Sequence, residues 1–150
     1  MSKTTVIRMI VAPLEKVFRT VSDISQFSEA VPHIINVEFI SDIRTGVGAR
    51  FRETRLMNGK EASTELEVAE YEENDKVRMI SDAGGTIWDT LFSVKPVDGK
   101  TELTVVMDAK AYKFMAKIVN PLIRGMVEKA IGKDIDAIKD WCEKSANTDN

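Results

Sequence analysis

Most of the chain alternates apolar and polar residues with a period of two, the mark of half-buried strands, and only two stretches carry the three-to-four spacing of a helix. Lys3 to Val11 (KTTVIRMIV) is rich in β-branched residues and predicts a strand. Pro13 follows where its fixed φ suits a first helical turn, and Leu14, Val17, Phe18 and Val21 then form the stripe of a short amphipathic helix. Ser22 or Asp23 can cap a second short helix that buries Ile24, Phe27 and Val31 and stops at Pro32. Ile34 to Ser41 predicts a second strand, and residues 42–48 a glycine-punctuated loop.

Two hairpins fix their own register. Asn58-Gly59 supplies the two positive φ angles of a two-residue turn. Counting outward from Met57 opposite Lys60 pairs Ala49 with Val68, Phe51 with Leu66, Glu53 with Thr64 and Arg55 with Ala62 on one face. The other face pairs Arg50 with Glu67 and Arg52 with Glu65, two opposite-charge pairs suited to solvent. The same count at Asp98-Gly99 pairs Val94 with Leu103, Phe92 with Val105, Thr90 with Met107 and Trp88 with Ala109. Lys95 opposite Glu102 and Ser93 opposite Thr104 fall on the other face. Leu91 opposite Val106 and Asp89 opposite Asp108 break that mixed pattern. Lys76 to Asp82 is a further strand, followed by a turn at Ala83-Gly84-Gly85. The total is about seven strands, nearly all in short antiparallel connections.

Tyr112 to Ser145 is the second helical stretch, and it carries two stripes. Met115, Ile118, Val119, Leu122 and Met126 share one face; Ile123, Val127, Ile131, Ile135, Ile138 and Cys142 run along another. Asn120-Pro121 either starts a long helix or kinks one. From Pro121 to Ser145 a helix spans roughly 37 Å, longer than a strand, and so crosses the sheet.

Composition narrows the class. The chain has 150 residues, 43% hydrophobic and 30% charged, as expected of one soluble globular domain. We expect it to cover residues 1–145, with a polar tail at 146–150. A net charge of −3 with acids and bases interspersed argues against a nucleic-acid partner. No apolar run reaches membrane-span or signal length, so the expected location is the cytoplasm, without stable membrane insertion. The single cysteine, Cys142, rules out an intramolecular disulfide. The one histidine and the scattered carboxylates lack metal-ligand spacing, and no phosphate-binding glycine loop opens a helix, so neither metal nor cofactor is expected.

The order of elements, with the stretches VAPLEKVFRTVSDI (11–24), VGARFRET (47–54), DGKTELTV (98–105) and DIDAIKDWCE (134–143), resembles the START-like (SRPBCC) superfamily of polyketide cyclase/dehydrase and lipid-transport type. The resemblance implies an α+β helix-grip fold: a curved antiparallel sheet of about seven strands around a long C-terminal helix, with two short helices after the first strand. It also implies a hydrophobic small molecule between sheet and helix. The chain is expected to be a monomer or homodimer.

On that fold, the face holding Phe51, Leu66, Phe92 and Val105 looks at the helix. Glu53, Arg55, Thr64, Met79, Trp88, Thr90, Met107, Met115, Val119 and Ile123 are then expected to line the cavity. Glu53 and Arg55, two apart on one strand, form an internal ion pair that fixes structure, a polar anchor for a ligand, or a general base with its partner. Trp88 is a cavity wall or plain core. His33 sits in a loop near a mouth of the fold, as a surface residue or a proton-transfer group. No catalytic residue is assigned. Three functions remain open: a carrier or binding protein for a lipid-, polyketide- or quinone-like molecule, a polyketide cyclase/dehydratase, and a protein-interaction module with a closed core.

Overall fold

In the computed structural model, which describes residues 2–148, one sheet carries the architecture. The elements run β1 (Ser2–Ile10), α1 (Leu14–Ser22), α2 (Ile24–Ala30), β2 (Ile34–Phe39), β3 (Arg50–Met57), β4 (Lys60–Glu72), β5 (Lys76–Ala83), β6 (Thr86–Val97), β7 (Lys100–Ala111) and α3 (Phe114–Thr148). The seven strands form an open sheet in the order β1-β7-β6-β5-β4-β3-β2, antiparallel throughout. Chain neighbours pair from β2 to β7, and only β1 joins by crossing to the far edge. This is the helix-grip arrangement.

Turn chemistry sets the ladder. Asn58 and Gly59 take φ of 53° and 78°, and Asp98 and Gly99 take 51° and 78°, the doubly positive geometry that matches strand twist. The pairings counted outward from the two turns are present from Arg50–Glu67 inward and throughout the second hairpin; Ala49 lies just outside β3, where its carbonyl accepts from the Val68 N–H at 2.9 Å. Lys95 lies 3.6 Å from Glu102, Arg52 3.7 Å from Glu65 and Arg50 4.0 Å from Glu67. One member of the like-charge pair Asp89–Asp108 is compensated from the neighbouring strand. Arg78 of β5 donates to both Asp89 oxygens, and that guanidinium holds the Asp89 carboxyl below the usual range.

The short helices form as their patterns predict. Pro13 precedes the first turn of α1, and Asp23 accepts from the Ser25 N–H at 2.9 Å to cap α2. Ile10, Val17, Val21, Val31, Val77, Leu103 and Ile138 are almost completely excluded from water, and they join the sheet, α1, α2 and α3 in one core.

One continuous helix, α3, contains Pro121 and runs on to Thr148, past the expected end at Ser145. It lies alongside edge strand β1, and four contacts mark the alignment. Arg124 donates to the Lys3 carbonyl, Arg8 to Asp136, and Lys139 to the Met9 carbonyl, while Glu143 accepts from the Val11 N–H. Lys3 to Val11 spans about 26 Å of strand, and Arg124 to Glu143 about 28 Å of helix, so helix and strand advance in step. The helix thus also covers an edge that would otherwise offer itself to another chain.

The two stripes of α3 have different fates. Ile135, Ile138 and Cys142 are buried, and Val127 and Ile131 half-buried. Met115, Leu122 and Met126 are 65%, 80% and 68% exposed.

Candidate functional site: a cavity beneath the C-terminal helix

Between the inner face of the sheet and the middle of α3 lies a cavity of about 250 Å³. Its walls come from alternate residues of four strands: Leu66 of β4, Met79 of β5, Phe92 and Thr90 of β6, and Val105 and Met107 of β7. Period-two alternation places them on one face, and the antiparallel register sets them side by side. Ile24 and Phe27 of α2 close one end, where the Phe27 ring meets Phe92 edge-on at 6.0 Å. Val127, Ala130, Ile131, Asp134 and Ile135 of α3 form the lid.

One charged cluster interrupts this apolar lining. Arg55 Nε donates to Glu53 Oε1 at 2.5 Å, and Arg55 Nη1 donates to Asp134 Oδ2 at 2.8 Å. The guanidinium therefore bridges strand β3 and helix α3. The side chains of Glu53, Asp134 and Arg55 are 10%, 15% and 24% exposed, so the three charges are held largely out of water. Burial alone would lower the Arg55 pKa. The fields of Glu53 and Asp134, with their hydrogen bonds, outweigh it and hold the group above its ordinary value. The cluster is two carboxylates around one cation, a formal −1 in which each carboxylate keeps an oxygen not engaged by Arg55.

Two clefts adjoin the cavity. One, of about 350 Å³, shares Glu53, Arg55, Leu66, Thr90 and Met107 with it, and adds Thr64, Ser81 and Trp88 along the inner face. Ser81 is 6% exposed, and its hydroxyl has no hydrogen-bond partner among the described residues. Trp88 donates its indole N–H to the Ala83 carbonyl at 3.3 Å, which leaves the ring face along the cleft. The other cleft, of about 400 Å³, opens on the outer side of the charged cluster, between His33, Leu56 and Asn58 on one bank and Met126, Lys129 and Lys133 on the other. Arg55, Ala130 and Asp134 belong both to it and to the cavity, so the charged cluster stands at the threshold between them.

Of the residues expected around the cavity, Glu53, Arg55, Met79, Thr90 and Met107 come together on it, and Thr64 and Trp88 stand in the adjoining cleft. Met115 and Val119 lie on the solvent face of α3, 65% and 39% exposed, and Ile123 is half-buried outside these spaces. For Met115 and Val119 the cause is helix phase: the lid uses the stripe through Val127, Ile131 and Ile135, and the other stripe points away. Ile123 is on the lid stripe but one turn before Val127, the first α3 residue on the cavity. Asp134 and Ser81 escaped the sequence reading. Asp134 left a faint signal as an acid beside the buried stripe, next to Ile135. Ser81 left one in the alternation Val77, Met79, Ser81 along β5.

Among the described residues no group of three or more His, Cys, Asp or Glu side chains is placed to hold a metal, and no helix is long and apolar enough to cross a membrane.

Residues 1–143 match the family described as polyketide cyclase / dehydrase and lipid transport. No curated protein matches the chain. Among solved structures, TTHA0849 from Thermus thermophilus is similar with a TM-score of 0.78 at 16% identity, covering 97% of this chain and 99% of that one. A START superfamily protein from Mycobacterium smegmatis is similar with a TM-score of 0.72 at 17% identity, over 99% of both chains. The di-domain ARO/CYC StfQ from the steffimycin biosynthetic pathway gives 0.80 at 11% identity, covering 97% of this chain and 51% of that one. At these identities the likeness is one of fold.

Proposed function

Because the chain belongs to the polyketide cyclase/dehydrase and lipid transport family, we propose that it binds a hydrophobic or aromatic small molecule, lipid-, polyketide- or quinone-like, in the cavity beneath α3 and acts as a carrier or binding protein. The observation that carries the reading is an apolar cavity of about 250 Å³ with a single buried charged cluster at one end. Apolar walls supply binding energy without direction, and a few fixed polar groups supply orientation. The free carboxylate oxygens of Glu53 and Asp134 favour a ligand that offers a hydroxyl or phenol proton, and the Ser81 hydroxyl gives a second polar contact in the adjoining cleft. Trp88 provides a flat face for an aromatic ring.

The same residues argue for binding over catalysis. A cyclase needs several groups converging on a reacting atom with a free base among them. Here the polar groups on the cavity are one ion-paired cluster at its edge, with Glu53 and Asp134 each bound to Arg55 through one oxygen, and the rest of the wall is apolar apart from Thr90. If Glu53 anchors the ligand, Glu53→Gln weakens the displacement of a fluorescent fatty-acid probe by naphthol or quinone compounds, with the urea midpoint retained. Unchanged affinity in a folded variant removes Glu53 from the site. Turnover of a polyketide-like substrate by the wild type, lost in Glu53→Gln, would replace the carrier reading with the enzyme.

A further inference from the structure

The cavity makes no use of the turns of α3 before Val127, where Phe114, Met115, Ile118, Leu122 and Met126 are between 49% and 80% exposed. Steps of three and four place Met115, Ile118, Leu122 and Met126 on one helix face, and the same steps continue to Lys129 and Lys133. Neither lysine has an ion pair or hydrogen bond among the described residues. Residues 110–133 contain six basic residues and one acidic residue, in a chain of net charge −3. The positive charge is therefore concentrated where the apolar side chains are exposed.

A helix with large apolar side chains on its free face and basic ones at its margins suits the boundary of a bilayer. Its apolar groups enter the acyl region, and its long cationic side chains stay at headgroup level. Anionic headgroups then match the charge. Self-association through this face fits less well, since exposed lysines stand at both of its ends, Lys113 and Lys117 at one and Lys129 and Lys133 at the other, so that parallel and antiparallel pairing alike bring like charges together. Placement adds a further reason. Met126, Lys129 and Lys133 also form one bank of the outer cleft, so a bilayer under this face would meet the mouth of the cavity.

We propose that the free face of residues 114–133 docks the protein peripherally on an anionic phospholipid surface. Docking delivers an apolar ligand between bilayer and cavity without exposing it to water. The surface itself is independent of which ligand the cavity takes.

Flotation with vesicles of pure phosphatidylcholine, and with vesicles containing about one-third phosphatidylglycerol, tests this directly. Binding is expected on the anionic vesicles at about ten-fold or more above the neutral ones, and it falls several-fold between about 0.05 M and 0.5 M NaCl as charge is screened. Ile118→Asp with Leu122→Asp, and separately Lys129→Glu with Lys133→Glu, each reduce it about ten-fold with the urea midpoint retained. Equal or absent binding to the two vesicle types overturns the proposal. So does a dimer in light scattering that Leu122→Asp dissociates, which would assign the face to a second copy. Because empty vesicles are the only probe, failure here leaves the cavity reading untouched, and loss of ligand binding leaves this surface untouched.

Discussion

At the residue scale the charged cluster dominates, because its three members sit where solvent screens them least. Arg55→Met leaves Glu53 and Asp134 close together without their cation, and is expected to cost about 3 kcal/mol. Urea denaturation checks this, and Arg55→Met combined with Glu53→Gln and Asp134→Asn recovers most of the loss. A single-variant cost under about 1 kcal/mol would mean that water screens the cluster. A second residue-level effect concerns acid. Glu143 accepts from the Val11 N–H at 2.9 Å, and that hydrogen bond holds its carboxyl below the usual range. A folded-state pKa below the unfolded one gives stability that is present at neutral pH and lost as the pH falls through the carboxylate range. Glu143→Gln therefore lowers stability near pH 7 and flattens its decline toward about pH 3, as urea midpoints across that range will show.

Elements respond to substitutions in ways that separate one physical cause from another. Gly59 and Gly85 have nearly the same backbone, φ 78° and 82°, but a Cβ on Gly59 meets nothing within 4 Å while one on Gly85 falls 2.7 Å from Lys113 Cβ. Gly59→Ala costs about 1 kcal/mol for the left-handed backbone alone. Gly85→Ala adds a collision at the β7–α3 junction, where the Tyr112 and Lys113 N–H groups donate to the Gly85 carbonyl. It is expected to cost at least twice as much, and matched urea titrations will separate the two terms. The faces of α3 differ in the same way. Ile138 is fully buried and Leu122 is 80% exposed, so Ile138→Asp abolishes cooperative unfolding while Leu122→Asp leaves the unfolding free energy within about 0.5 kcal/mol of wild type.

Over the whole molecule, the sheet was legible because local chemistry overdetermines it. Two positive-φ turns and three cross-strand ion pairs point to a single register, and alternation does the rest. The strand side of the cavity followed from that register: Glu53, Arg55, Thr90 and Met107 were placed by counting from Asn58-Gly59 and Asp98-Gly99. The helix side was only half legible. Both apolar stripes of α3 are regular, and periodicity alone does not say which one a sheet will cover. The β1 contacts of Arg124, Asp136, Lys139 and Glu143 fix that phase, and no local pattern announces them. Asp134 reaches Arg55 across 79 residues of sequence, a long-range pairing that an Arg two places from a Glu does not foretell.

The central claim is that the space under α3 holds an apolar ligand. Native mass spectrometry of bacterially expressed protein purified without detergent tests it most directly, with Ala130→Trp as the partner variant, since Ala130 lines both the cavity and its outer cleft. The prediction is a wild-type population carrying a non-covalent apolar mass that collisional activation removes, and a folded Ala130→Trp protein without it. Wild-type protein that shows only its sequence mass, even after incubation with fatty acids, naphthols and quinones, would contradict the claim.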